Sequence, residues 1–272
     1  MVSLLPEACR TVPTFLSSLL ALTETQFYYG LLISFWLFAL LTAVNLRFRA
    51  APYGRHLQTG WGKEVSATFG WILMEAPASI APVVFFFLGS RRDTVLRVFL
   101  LLWQLHYFHR AFVFPFRRRG GGRMPLVIAV MAIVFNVGNA YLNWRYLTVF
   151  GPVYALSWLW DPRFLCGLAV FVFGFAVNQH ADWVLLHLRK PGETGYKIPY
   201  GGLYRWVSCP NYLGELTEWL GFSLLTWSLG GLTFAVFTAA NLLPRAVSHH
   251  RDYLRRFPDY PKNRKAVIPF LL

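Results

Sequence analysis

Seven apolar runs, near 27–46, 68–89, 95–116, 124–149, 164–188, 211–229 and 231–254, recur along a chain of 272 residues. Each is close to the roughly 20 residues that a helix needs to cross a hydrocarbon core about 30 Å thick. In that solvent the backbone must satisfy its own hydrogen bonds, which leaves helices as the solution for runs of this length. Only 14% of the residues are charged and 56% are hydrophobic, whereas an ordinary soluble domain is about a quarter charged. The expected fold class is therefore an all-α integral membrane protein, a single polytopic domain over 1–272 with seven transmembrane helices.

A net charge of +14 taken alone would suggest a nucleic-acid partner, but its placement argues otherwise. Arg47, Arg49, Arg55 and Lys63 fall in the first connection, Arg117, Arg118, Arg119 and Arg123 in the third, and Arg189, Lys190, Lys197 and Arg205 in the fifth. Arg255, Arg256, Lys262, Arg264 and Lys265 fall in the tail. The alternate connections hold only Arg91, Arg92 and Asp93, then Asp161 and Arg163, then no charge. By the positive-inside rule the N-terminus lies outside and the C-terminus in the cytoplasm. The expected surroundings are membrane lipid without nucleic acid, with the chain a monomer in a bacterial inner membrane, or in the endoplasmic reticulum of a eukaryote.

Other features bound the reading less tightly. The first 26 residues include TFLSSLLALT, but Arg10 and Pro13 interrupt the start and no convincing cleavage site follows, so a signal peptide is the lesser expectation. Cys9, Cys166 and Cys209 are scattered without paired spacing, which implies neither a disulfide framework nor a thiolate metal site. RRRGGGR over 117–123 has the freest backbone in the chain, and is either a mobile lid or a solvated basic turn.

Charged groups inside the apolar runs carry the chemistry. A carboxylate in hydrocarbon costs several kcal/mol, roughly 2.5 to 3.5 even on insertion scales, so it lines a cavity or has a partner. Glu75 stands in such a run, and the next offers Tyr107 flanked by His106, His109 and Arg110. A helical hairpin would set an acid beside a phenol in a water-poor pocket. Asp182, Glu215 and Glu218 are further acids at or within the runs. Asn178, Asp182 and Arg189 share one side of a helix, and Arg245, His249 and Tyr253 recur every four residues. Between these stripes lies KPGETGYKIPYGGLYRWVSCPNYLGELTEW, with Asn211 and Glu215 opening the sixth helix. Carboxamides, carboxylates, arginines and aromatic rings together suit a large polar ligand, although no GxGxxG follows a strand. The paired histidines lack the repeats of an intramembrane di-iron site, so no metal is expected.

The strings LHYFHRAFVFPF, NQHADWVLLHLRKPGETGYKIPYGGLYRWVSCPNYLGELTEW and HHRDYLRRFPDYPKNRKAVIPF resemble the steroid 5α-reductase family, here taken as a bacterial-type member, from about residue 53 to the C-terminus. The resemblance implies a seven-helix oxidoreductase with NADPH as cofactor. It implies hydride transfer to C5 and a proton to C4 of a 3-oxo-Δ4-steroid such as testosterone or progesterone. Helices 1 to 4 would form the steroid cavity, and helices 5 to 7 with the cytoplasmic loops the nucleotide site. Glu75 and Tyr107 match the family's catalytic pair. Trp71, Arg123, Asn178, Asp182, Arg189, Tyr196, Asn211, Glu215, Arg245, His249, Tyr253 and Arg264 match its cofactor positions. Met74 stands where members that handle testosterone carry Gln, so one donor near the 3-oxo group is missing and substrate preference is open. Lys197 and Arg118 are milder departures.

Two rival readings follow from the same residues. An S-adenosylmethionine-dependent methyltransferase of the isoprenylcysteine or phospholipid type would need a His-Pro element where this chain has Ser208-Cys209-Pro210. A non-enzymatic lipid-binding or transport protein would use the buried acids as a proton path, but leaves both polar stripes without a ligand.

Overall fold

The computed structural model describes residues 22–49, 51, 60–118, 122–190, 192–193 and 195–272. The stretch through residue 21, with Cys9, Arg10 and Pro13, lies outside the described residues, as do Arg55 and residues 119–121 of the stretch read as a lid or a basic turn.

Seven helices longer than ten residues occur among the described residues. They are α1 Glu24–Phe48, α2 Ala67–Leu88, α3 Thr94–Phe108, α4 Leu126–Arg145, α5 Pro162–His187, α6 Pro210–Thr226 and α7 Leu229–Arg256. Each apolar run thus becomes a helix, and side-chain caps mark several starts. Thr23 and Gln26 form a reciprocal capping box at α1, Asp93 accepts from the Leu96 N–H at α3, and Ser228 accepts from the Gly231 N–H at α7. A short antiparallel pair, β1 Glu64–Ser66 and β2 Arg123–Pro125, closes the base of α2 and α4 with Val65 opposite Met124.

Among the described residues, four helices are long and apolar enough to cross a membrane: α1, α2, α5, and α4 with its continuation to Phe150. The other three are shorter or carry charges, since α3 has 15 residues, α6 has 17, and the last turns of α7 hold Arg251, Asp252, Arg255 and Arg256.

Two expectations from hydropathy need correcting. The run 95–116 is not one α-helix, because the helix widens into a π-turn at His109–Val113 before a last turn at Phe114–Arg117. The break between the runs 211–229 and 231–254 is at Trp227 and Ser228 instead, with Trp227 in the left-handed conformation at φ 46°. Gly230 and Gly231 belong to α7, where a Cβ on Gly230 would lie 2.8 Å from the Leu142 carbonyl of α4. Hydropathy could not separate those glycines from a turn, because it ignores the neighbour that requires a bare backbone.

The closest packing is between α5 and α6, which run antiparallel. Gly167 and Gly174 face Gly221 and Gly214, each seven residues from its partner on the same helix. In lipid the association of helices rests on packing rather than on water exclusion, and small residues let backbones meet. Aromatic residues fill the centre instead, with Trp103 of α3 in contact with Trp219, Phe222 and Phe234.

Candidate active site

On α3, Trp103, His106 and Tyr107 stand at i, i+3 and i+4, so one face carries all three, and Arg110 follows in the π-turn that continues the helix. Tyr107 is buried, with its ring stacked 5.3 Å from that of Trp219 and 5.1 Å from that of Trp103. Its hydroxyl has no hydrogen-bond partner among the described residues, and neither does the carboxyl of Glu75 on α2. Both are close enough to Arg110 and Glu215 for their charges to interact, and so are Tyr107 and Glu75 with each other. The acid and the phenol therefore stand within electrostatic reach of each other on adjoining helices, α2 and α3.

Around them the polar groups are paired across helices. Arg110 Nη1 donates to Asp182 Oδ2 at 3.0 Å from within the π-turn, a backbone widening that often marks functional sites. Asn211 Nδ2 donates to the other Asp182 oxygen at 3.2 Å, and Asn178 Nδ2 donates to the Asn211 carbonyl at 3.0 Å. Asn178, Asp182 and Asn211 are thus one network, set by the glycine seam that brings α5 and α6 together. Glu215, one turn beyond Asn211, has no hydrogen bond or ion pair among the described residues. Behind Tyr107, His106 Nδ1 lies 3.0 Å from both oxygens of the fully buried Glu218.

Other candidate positions spread around this centre. Trp71 lies between two guanidinium groups, Arg110 at 4.8 Å and Arg118 at 5.1 Å from its ring, and its buried indole N–H has no partner among the described residues. Tyr212 bridges to α7, where His249 Nε2 meets its hydroxyl at 3.1 Å and Arg245 lies 5.3 Å over its ring. Tyr253 stacks on Tyr260 of the tail at 5.1 Å. Arg264 is buried and donates to the Pro199 carbonyl, which pins the tail to the loop before α6. Tyr196 is exposed under Arg256. Met74 packs with Met124 and Ala129, between α2 and α4.

Two candidate positions stand apart from this centre. Arg189 cannot share the helical stripe of Asn178 and Asp182, because α5 ends at His187, and its Nη1 donates to the Gly195 carbonyl at 3.3 Å. Arg123 lies on β2 with an exposed side chain held by Glu64 at 3.0 Å. Conversely, Arg110, His106 and Glu218 matter more than their sequence context suggests. The polar spacing in LHYFHR was visible, but the acids that meet it are 72 and 112 residues away.

Arg110 and Asp182 are both largely buried, so removing one leaves the other charge without compensation. Arg110→Met is expected to destabilise the fold by on the order of 3 kcal/mol, read as a lower melting temperature in detergent. Adding Asp182→Asn to it should recover most of that loss.

A family model described as 3-oxo-5-alpha-steroid 4-dehydrogenase matches residues 122–272. The rat protein 3-oxo-5-alpha-steroid 4-dehydrogenase 1 is 45% identical over 240 residues, covering 86% of this chain and 91% of the relative. The human protein of the same name is 44% identical over 222 residues, covering 80% and 85%. Steroid 5-alpha-reductase DET2 of Gossypium hirsutum is 43% identical over 262 residues, covering 93% and 100%. These relatives come from mammals and a plant, and lend no support to a bacterial-type placement.

Proposed function

The chain belongs to the 3-oxo-5-alpha-steroid 4-dehydrogenase family, and from that premise we propose that it is a membrane oxidoreductase reducing the Δ4 double bond of 3-oxo-Δ4-steroids to the 5α product, with NADPH as hydride donor. The single observation that carries this reading is the pair of protonatable groups, Glu75 and Tyr107, without hydrogen-bond partners among the described residues and within electrostatic reach of each other in an apolar bundle.

The donor set fits a nicotinamide dinucleotide. Glu215 offers a carboxylate free of hydrogen bonds among the described residues, and Trp71 a buried indole N–H in the same condition. Asn178, Asp182 and Asn211 are already ordered beside them, and Arg189, Arg245 and Arg264 supply positive charge for phosphates on the side where the basic connections cluster. Tyr196, His249, Tyr253 and Arg123 complete the candidate set. NADPH, when bound, supplies the hydride for steroid C5.

The residues of this chain act on the other end of the enone. Hydride addition at C5 moves electron density onto the 3-oxo oxygen, so donors aimed there strengthen as the transition state forms. A carboxyl group set in hydrocarbon keeps its proton and donates rather than only accepts. Glu75 and Tyr107 form that donor pair, and C4 then takes a proton. The aromatic packing of Trp103 and Trp219 behind Tyr107 keeps water from the site. The seven helices cross the bilayer with the N-terminus outside, which leaves the basic connections and the nucleotide in the cytoplasm.

Purified protein should oxidise NADPH only when testosterone, progesterone or androstenedione is supplied, and mass spectrometry with NMR should find hydrogen added at C4 and C5 in the 5α configuration. Turnover of none of the three, with S-adenosylhomocysteine co-purifying, would transfer the chain to the methyltransferase reading. No turnover and no bound nucleotide would favour transport.

A further inference from the structure

Pro77 and Pro82 both lie inside α2, the helix of Glu75. A proline has no N–H, so the carbonyl four residues before it loses its helical partner. For Pro82 that carbonyl belongs to Ala78, which is fully buried and less than one turn from Glu75. An unpaired carbonyl away from water is costly. Here the indole Nε1–H of Trp103 donates to it at 2.8 Å.

Trp103 has a second attachment. It precedes Tyr107 by one turn on α3, and the two rings lie 5.1 Å apart at 31°. The same side chain therefore holds the helix of the acid by its N–H and the phenol by its ring. Its neighbour Gln104 reinforces the junction, donating from Nε2 to the Ser79 carbonyl at 2.7 Å and accepting from the Ser79 hydroxyl at 2.6 Å. Trp103 is fully buried and meets Trp219 at 5.2 Å, so it has no surface of its own to offer a substrate.

We infer that Trp103 is a positioning residue: by occupying the carbonyl that Pro82 leaves open, it sets the separation and mutual orientation of Glu75 and Tyr107. This rests on the reading of those two groups as the donor pair for the 3-oxo oxygen. A tryptophan that merely fills the core would be indifferent to the residue at position 82. A brace is not, because an N–H restored at position 82 would supply the Ala78 carbonyl from within α2.

The test is a cycle of Trp103→Phe and Pro82→Ala, measured as kcat and steroid KM, with dinucleotide binding and melting temperature alongside. Trp103→Phe keeps an aromatic ring and removes the donor. It should lower kcat by about tenfold or more, as small misplacements of reacting groups do, with KM and dinucleotide binding within about twofold. In the Pro82→Ala background the same change should cost less than about threefold, because its hydrogen bond is then redundant. Equal losses in the two backgrounds would overturn the inference, and so would unchanged kcat in Trp103→Phe.

If Trp103→Phe alone does not fold, folding of the double variant supports the coupling, while failure of both overturns it. Glu75→Gln run in parallel separates this inference from its premise. Full turnover there removes the donor pair and the brace together. Loss there with normal turnover in Trp103→Phe removes the brace alone.

Discussion

Glu75→Gln should bind the dinucleotide as the unmodified protein does and lose turnover by about a hundredfold or more, the scale on which removal of one oxyanion donor acts. Glutamine keeps the size of the side chain and remains a hydrogen-bond donor, so the cavity and the fold are preserved. What disappears is the acidic proton, whose hydrogen bond strengthens as negative charge gathers on the 3-oxo oxygen. The loss should therefore fall on kcat rather than on KM for the steroid, since an interaction confined to the transition state leaves ground-state binding alone. Titration of the dinucleotide by fluorescence and steady-state kinetics on one preparation would measure both. Near-normal kcat would remove Glu75 from the chemistry and with it the central assignment.

A comparable loss should follow from a single methyl group at Gly174, a residue with no side chain of its own to offer the reaction. A Cβ there would meet the backbone nitrogen of Glu218 and lie 2.6 Å from the Gly214 carbonyl and 2.8 Å from the Glu218 Cα. All three are backbone atoms, so no rotamer change relieves the contact and α5 must move away from α6. Overpacking of this kind costs roughly 1–3 kcal/mol, occasionally more. The functional cost should be larger than the stability cost suggests, because the bonds from Asn178 to Asn211 and from Asn211 to Asp182 cross the same seam. Gly174→Ala is thus expected to lower the melting temperature and to weaken dinucleotide binding strongly. Gly30→Ala on α1, where nothing lies within 4 Å, is the matched control and should be nearly silent. Equal behaviour of the two variants would mean that the seam does not position the site.

Much of this molecule was readable from its residues in order. Runs of apolar side chains specify helices in lipid whatever their neighbours are, because each helix closes its own backbone hydrogen bonds. For that reason all seven runs appear as helices near the expected bounds, and the stripes on α5 and α7 are recognisable from a spacing of four. The chemical character of Glu75 is equally local, since an acid in an apolar run has to face something other than lipid.

Partnerships across the bundle had no such local signature. His106 with Glu218, Arg110 with Asp182, and Trp103 with the carbonyl freed by Pro82 join residues 112, 72 and 25 positions apart. The widening of α3 at His109 and the end of α5 before Arg189 also escaped hydropathy, which sums side-chain preference along one helix. Helix identity depends on contacts within a few residues, whereas rotation and depth depend on which backbones can touch. The glycines of α5 and α6 acquire their meaning only when the two helices are brought face to face, and that meeting is what gathers isolated polar residues into a site.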